Sequence, residues 1–479
     1  MTLTILGLGP GHPDDITRRA WHALETAKVA YLRTREHPCV PNLPISSFTS
    51  FDDIYDSSAD FEHIYDTICE RLLAAAQTDD VVYAVPGDPM VAESTVQRLI
   101  TRAPERGIPI EIINGVSFIE PALAALGIDA IGGLQVCDAL DIVSMHHPPL
   151  NPDRPALLAQ VYSRAVASDL KLTLMNQYPD EFEVTLLHGA GTSDMQIERV
   201  PLYAIDRSER IRYLTALYMP PLGHFSSFEA FQEIIAHLRT PEGCPWDREQ
   251  THLSLRRYLL EETHEVLEAL DAEDSQALAE ELGDLLLQIV LHAQIATEFG
   301  EFRMGDILSH VSQKMIRRHP HVWGDVNVDS AGQVVQNWEA IKQQEKGNPK
   351  RQSILDEVPK DLPALFRALR LTEKAAKPGF DWPTPEEVLA KLHEELEEVL
   401  TASDDPHRAE EMGDVLFVVA NWARKLGIDP ESALRAANAK FERRFRYVEA
   451  QAEAQGKPLK DFDLAQMDDW WREAKVNGL

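Results

Sequence analysis

Cysteine is scarce: Cys39, Cys69, Cys137 and Cys244 are the only four in 479 residues, and none forms a CxxC pair. That argues against a disulfide-framed fold and a thiolate zinc site, and points to a reducing cytoplasm. Long apolar runs are missing as well; none approaches the ~18 residues that cross a bilayer. The opening MTLTILGLGPG has neither the basic start nor the cleavage site of a signal peptide. Positive charge is in short supply, with 46 Lys and Arg against 78 Asp and Glu. The resulting net charge of −32 argues against non-specific binding to nucleic acid or to an anionic membrane. So acidic a chain handles anionic substrates only through metal ions or a local cluster of cations. Apolar content is ample: 44% hydrophobic residues can fill the cores of roughly three domains.

Up to about Pro221 the chain alternates short β-rich runs with helical patterns. LTILGLG, DVVYAVPG, IPIEIING, KLTLMNQYP and YLTALYMPP are strand candidates beside Gly or Pro turn signals, with helical stretches such as 17–27 and 93–103 between them. This pattern predicts an α/β domain over residues 1–221 with a largely parallel sheet. YMPPLGH marks a boundary, and from Ser226 helical periodicity takes over. The helical part repeats itself. LLEETHEVLEAL, AEELGDLLLQIV and KMIRRHPHVWG are followed in the same order by KLHEELEEVLTA, AEEMGDVLFVVA and KFERRF. Two all-α repeats are expected, over 225–345 and 360–479, joined by KGNPKRQSILDEVPKDLP.

Each repeat carries EExxE and then EExGD. Residues three apart share a helix face, so Glu262 pairs with Glu265 and Glu281 with Asp284; Glu395 likewise pairs with Glu398 and Glu411 with Asp414. Antiparallel packing of two such helices would gather four carboxylates, as in bundle metal sites. Oxygen ligands without His or Cys favour Mg²⁺ or Mn²⁺. A single acidic pair more often marks a solvated face. Here, however, both EExGD blocks run straight into apolar stretches, 285–291 and 415–420, where idle carboxylates are poorly placed. Downstream, Lys314 with Arg318 and Lys440 with Arg444 stand four apart. Alone these are surface cations; beside a metal cluster they suit phosphate oxygens.

The series GCPWDREQTHLSLRRYLLEETHEVLEAL, ELGDLLLQIVLHAQIA, RRHPHVWGD, PALFRALRLTEKAA, GFDW and KFERRF resembles the MazG-type nucleoside triphosphate pyrophosphohydrolases, from about Phe225 onward. The resemblance implies an all-α homodimer that cleaves NTPs or dNTPs to monophosphate and pyrophosphate with Mg²⁺. It makes Glu395, Glu398, Glu411 and Asp414 metal ligands, with Glu262, Glu265, Glu281 and Asp284 as their first-repeat counterparts. Lys391, Lys440 and Arg444 would hold phosphates, Lys314 and Arg318 would do so in the first repeat, and Trp471 would contact the nucleotide. Glu394 would orient the attacking water or take its proton, and His319 and His321 would be structural. Aligning the EExxE blocks sets Lys391 against Tyr258, which cannot supply a positive charge, so the second repeat is expected to carry most of the turnover.

ILGLGPGH also suggests a dinucleotide loop, but the third glycine of GxGxxG would fall where His12 stands. With AVPGDPMVAEST and IINGVSFIEPALAALG it instead resembles the tetrapyrrole methylase family, over roughly residues 1–221. That family binds S-adenosylmethionine in a cleft between two α/β subdomains. The resemblance places Gly87, Asp88, Met90, Gly115 and Ser117 at the methyl donor, and Asn176 and Gln177 on a later strand end. Gly7, Gly9 and Gly11 would form the cleft floor. The alternative is plain turn-making. Two other functions stay open: methyl transfer as the main reaction with a regulatory or dimerising helical region, and a non-catalytic acidic scaffold. The matched cation and carboxylate clusters argue against the scaffold.

Overall fold

The computed structural model describes residues 1–57, 61–223, 225–345 and 353–479; the start of the expected connector, 346–352, lies outside the described residues. Two compact units emerge, Met1–His310 and Val311–Leu479.

The first sheet consists of β1 (Leu3–Gly7), β2 (Val29–Leu32), β3 (Thr49–Ser50), β4 (Val81–Val85) and β5 (Ile110–Ile113), ordered β3-β2-β4-β1-β5 and parallel throughout. LTILG and VVYAV are nearly unbroken apolar runs because helices cover both faces of a parallel sheet. Leu3, Ile5, Tyr83 and Val85 pack against Ile68 and Leu72 of the helix Phe61–Ala76 and against Val96 and Leu99 of the helix Ser94–Glu105.

The three glycine loops leave β1, β4 and β5 at the same edge of this sheet, where their backbones touch. A Cβ on Gly7 would overlap the Gly87 carbonyl oxygen and come within 2.8 Å of the Gly115 Cα; one on Gly115 would meet the same carbonyl. Gly9 and Gly87 exchange backbone hydrogen bonds of 3.2 and 2.8 Å. The carboxyl edge of a parallel sheet is where ligands of open α/β domains bind.

The second sheet comprises β6 (Gln135–Asp138), β7 (Ala156–Ala159), β8 (Glu183–His188), β9 (Gln196–Pro201) and β10 (Thr215–Met219), ordered β6-β7-β10-β8-β9. Only β6 and β7 are parallel; the other pairings are antiparallel. The expected largely parallel sheet therefore holds for the first sheet alone. The expected strand KLTLMNQYP is also corrected. Its first residues close a helix, Arg164–Leu174, whose N-cap Ser163 accepts from Val166 N and whose Val166, Ala167, Leu170 and Leu174 are buried at helical spacing. The true neighbouring strand is ALLA of β7, whose Ala and Leu are helix formers with little intrinsic strand preference.

No strand follows residue 226 among the described residues. The helix α1 (Phe228–Leu238) starts on the sheet domain: Asp153 accepts from Ser226 N and Ser227 N, both at 2.9 Å, and Ser227 caps Ala230 N. Its Phe228, Phe231 and Ile235 join Val290, Leu291 and Ile295 in one core. A hairpin follows, α2 (Arg256–Asp271) and α3 (Ser275–Phe299), then α4 (Met304–Arg318) and α5 (Ala331–Glu345). Past the connector come α6 (Ala364–Ala376), the hairpin α7 (Pro385–Thr401) and α8 (Asp405–Lys425), then α9 (Pro430–Ala454) and α10 (Leu464–Val476). Val388 and Leu392 pack on Val415 and Val418 to hold the second hairpin.

Replacing Gly115 with Ala is expected to destabilise the protein by about 1–3 kcal/mol, the usual cost of overpacking. The shift of the denaturation midpoint measures it; an unchanged midpoint would mean that the loops separate freely.

Candidate functional site

The second helix of each hairpin begins at an aspartate cap. Asp274 Oδ1 accepts from Gln276 N and Ala277 N at 3.0 and 3.1 Å; Asp404 Oδ1 accepts from His407 N at 2.9 Å. The caps stand at the same offset before Glu281 and Asp284 as before Glu411 and Asp414, so both repeats present these carboxylates in the same register.

Three of the four expected ligands meet in each repeat. Oxygens of Glu262, Glu265 and Glu281 lie within 4.8 Å of one another, as do those of Glu395, Glu411 and Asp414. The fourth stands beside each group: Asp284 acts on Glu262, while Glu398 is hydrogen-bonded to Glu395. Desolvation, reinforced by repulsion from neighbouring carboxylates, raises the Glu262 and Glu281 carboxyls above the ordinary range. Glu398 rises for the same two reasons, with Lys391 opposing the shift.

Compensation differs between the repeats. Lys391 Nζ lies 2.8 Å from both Glu394 Oε1 and Glu395 Oε1, and these two bonds raise its own affinity for a proton. His407 Nε2 lies 2.9 Å from Glu411 Oε1. In the first repeat Glu262 receives the Gln288 amide at 3.5 Å and is hydrogen-bonded to Glu265, and the charges that raise Glu281 are those of Glu265, Asp284, Glu280 and Glu268. Tyr258, at the place of Lys391, sits under the Arg257 guanidinium instead. The sequence reading missed His407, because a histidine four residues before an acid is unremarkable on a helix.

Lys440 is exposed on α9. Arg444 lies 5.8 Å from the centre of the Trp471 ring and donates from Nε to Leu479 O at 2.8 Å, so two expected nucleotide contacts do meet. Phe441 packs against the same ring at 5.1 Å. The first repeat holds a counterpart: Arg318 stands 5.3 Å from the Trp338 ring centre. WEAIK beside WREAK was the overlooked signal. Here, however, Glu345 takes the Arg318 guanidinium at 3.0 and 2.7 Å, and Arg318 and Arg317 hold its carboxyl down at about 2. Lys314 is half-buried one turn earlier on α4.

In the glycine loops, Asp88 is buried and uses both oxygens internally. Oδ1 accepts from Met90 N at 2.8 Å, and Oδ2 from Gly115 N and Asn114 Nδ2 at 3.0 and 3.3 Å. Ser117 donates from N and Oγ to Glu120 Oε2, while Met90 is half exposed. Asn176, expected on a strand end, instead donates to Leu172 O and Thr173 O at the close of the helix Arg164–Leu174. Gln177 donates to Leu150 O.

Residues 2–206 match the family Tetrapyrrole (Corrin/Porphyrin) Methylases. Residues 250–323 and 383–448 each match the MazG nucleotide pyrophosphohydrolase domain. The nucleoside triphosphate pyrophosphohydrolase/pyrophosphatase MazG of Thermotoga maritima is 47% identical over 248 residues, covering 52% of this chain and 95% of that protein. The chain belongs to the MazG family, fused to a tetrapyrrole methylase domain. The nucleoside triphosphate pyrophosphohydrolase of Escherichia coli K12 is 45% identical over 50% of this chain and 94% of its own length. Protein YabN of Bacillus subtilis shares the whole arrangement, at 42% identity over 99% of this chain and 98% of its own. Each MazG match contains one carboxylate cluster, and both tryptophans of the Arg–Trp pairs lie beyond the matched stretches. No helix of the described residues is long and apolar enough to cross a membrane.

The clusters fit a hard divalent cation, since each gathers oxygen donors whose mutual repulsion a 2+ charge would relieve. The raised carboxyls of Glu262, Glu281 and Glu398 favour the fold below the unfolded-state value near 4.5, and that contribution is lost as these groups ionise with rising pH. Mg²⁺ or Mn²⁺ should therefore raise the melting temperature at neutral pH and have a smaller effect at pH ~4, where protons compete with the metal for the raised Glu262 and Glu281 carboxyls. Equal shifts at both pH values, or none at neutral pH, would count against these clusters as metal sites.

Proposed function

We propose that this protein is a Mg²⁺- or Mn²⁺-dependent nucleoside triphosphate pyrophosphohydrolase that converts NTPs or dNTPs to the monophosphate and pyrophosphate. The second MazG domain carries most of the turnover. The observation behind this assignment is the second carboxylate cluster, which among the described residues is the one of the two with a lysine in contact.

Glu395, Glu411 and Asp414, with Glu398 beside them, hold the cation. Bound there, the cation supplies Lewis-acid charge neutralisation for a triphosphate. Lys391 exchanges its two carboxylate contacts for a phosphate oxygen as substrate enters, which leaves Glu394 free to accept a proton from water. That water forms the new bond to the α-phosphorus, the α–β anhydride bond breaks, and the electron pair leaves with pyrophosphate. Lys391, Lys440 and Arg444 offset the charge that develops on it. Trp471, fixed against Arg444 and Phe441, offers its ring to the nucleotide. In the first domain Glu345 already holds Arg318, and Tyr258 brings no charge, so that cluster binds metal with little turnover.

We assign functional domains to residues 1–221, 225–345 and 360–479. The first binds S-adenosylmethionine at the loops holding Gly87, Asp88, Met90, Gly115 and Ser117, above a floor of Gly7, Gly9 and Gly11. Exposed Leu396, Leu400, Met412, Leu416 and Phe417 on the second hairpin support a homodimer. The acidic surface and reducing-type cysteines support a cytoplasmic protein that binds neither membrane nor nucleic acid.

Incubation with each NTP and dNTP plus Mg²⁺ should release pyrophosphate and monophosphate; orthophosphate with diphosphate, or no turnover, would remove the assignment. The double variant Glu411→Gln with Asp414→Asn should lose at least about 100-fold in rate, the scale of losing a key electrostatic stabiliser, while Glu281→Gln with Asp284→Asn stays within a few-fold. The reverse pattern would exchange the two domains' roles.

Calorimetry on the full chain should show S-adenosylmethionine binding in the micromolar to millimolar range. Asp88→Asn should weaken it by loosening the loops that Asp88 ties together. Absence of binding would reduce this domain to a structural role.

A further inference from the structure

We propose that His407 is a positioning residue that presets the metal-holding carboxylate Glu411, an inference that rests on the hydrolase reading above. His407 Nε2 lies 2.9 Å from Glu411 Oε1, one helical turn away on α8. The backbone of His407 is itself fixed, its N–H bonded to the Asp404 cap at 2.9 Å. That contact limits the rotamers open to the Glu411 carboxylate, which the cluster needs turned toward Glu395 and Asp414. Groups that contact a ligand from behind fix its orientation and strengthen the metal site, and their loss usually costs 10–100-fold in affinity.

The two domains provide an internal comparison. Their caps, Asp274 and Asp404, stand in the same register, so Ala277 occupies the position of His407. Lys391 likewise faces Tyr258. Both departures fall on side chains that touch cluster carboxylates: Lys391 fixes Glu395 from α7, and His407 fixes Glu411 from α8. Each helix of the second hairpin thus brings one nitrogen into contact with one ligand. At the matching positions of the first hairpin stand a tyrosine and an alanine. His407 is half exposed and lies in the first turn of α8, so its replacement leaves the hairpin core of Val388, Leu392, Val415 and Val418 in place.

The test uses the full chain carrying Glu281→Gln and Asp284→Asn, so that the second cluster dominates, and reads Mn²⁺ binding by electron paramagnetic resonance without nucleotide. His407→Ala should raise the dissociation constant at least about tenfold, and His407→Gln, which keeps an N–H donor, should recover most of that loss. The same pair in the otherwise unmodified chain should show a matching rise in the Mg²⁺ concentration for half-maximal pyrophosphate release, with kcat at saturating Mg²⁺ within a few-fold. An unchanged Mn²⁺ constant in His407→Ala, or a His407→Gln as weak as the alanine, would overturn the positioning role. A wild-type chain that releases no pyrophosphate from any nucleotide, while His407→Ala still weakens Mn²⁺, would overturn the hydrolase reading and leave the role of His407 standing.

Discussion

Repulsion among carboxylates packed into one locus is the constraint around which the helical half is built. Two helices of a hairpin are driven together by apolar contacts such as Val388 and Leu392 with Val415 and Val418. The same closure forces Glu395 toward Glu411 and Asp414. The hairpin therefore stores a local charge excess that protons, internal cations or a bound metal can relieve. The second domain answers partly from within, with Lys391 and His407. The first leaves its carboxylates mostly to one another, and burial and crowding raise them accordingly.

Much of this was legible in the sequence, because helical spacing alone decides which residues share a face. Glu262 with Glu265, and Glu411 with Asp414, needed only the period of the helix. Which three of four ligands meet was not legible, since it depends on rotamers and on how far the hairpin closes. Lys391 stood out by comparison with Tyr258. His407 did not: the EExGD blocks already set it against Ala277, but its contact with Glu411 appears only in the folded helix. The Arg318–Trp338 pair was overlooked for a different reason: WEAIK and WREAK stand 133 residues apart, as the two EExxE blocks do, but Arg318 and Arg444 stand only 126 apart, so the arginines do not align with the tryptophans they meet.

The sheet domain divides along a similar line. LTILG and VVYAV read as strands because both faces of the first sheet are covered. ALLA did not, and KLTLM misled, because composition there opposes the tertiary outcome. The glycine loops were visible as turns, but the sequence could not show that Gly7, Gly87 and Gly115 touch each other through their backbones. Asp88 is better understood from that contact than from its motif. With Met90 N on one oxygen and Gly115 N on the other, it works as a clasp between two loops.

Asp153 gives the seam between sheets and helices a particular mechanical character. It caps the turn that opens α1, and α1 then contributes Phe228, Phe231 and Ile235 to the core it shares with α3. The junction is thus a clamped helix rather than a tether. Loosening the sheet domain frees the start of α1, and loosening α1 strips apolar cover from α3, so the stability of the sheet domain and that of the first hairpin are coupled through this one helix.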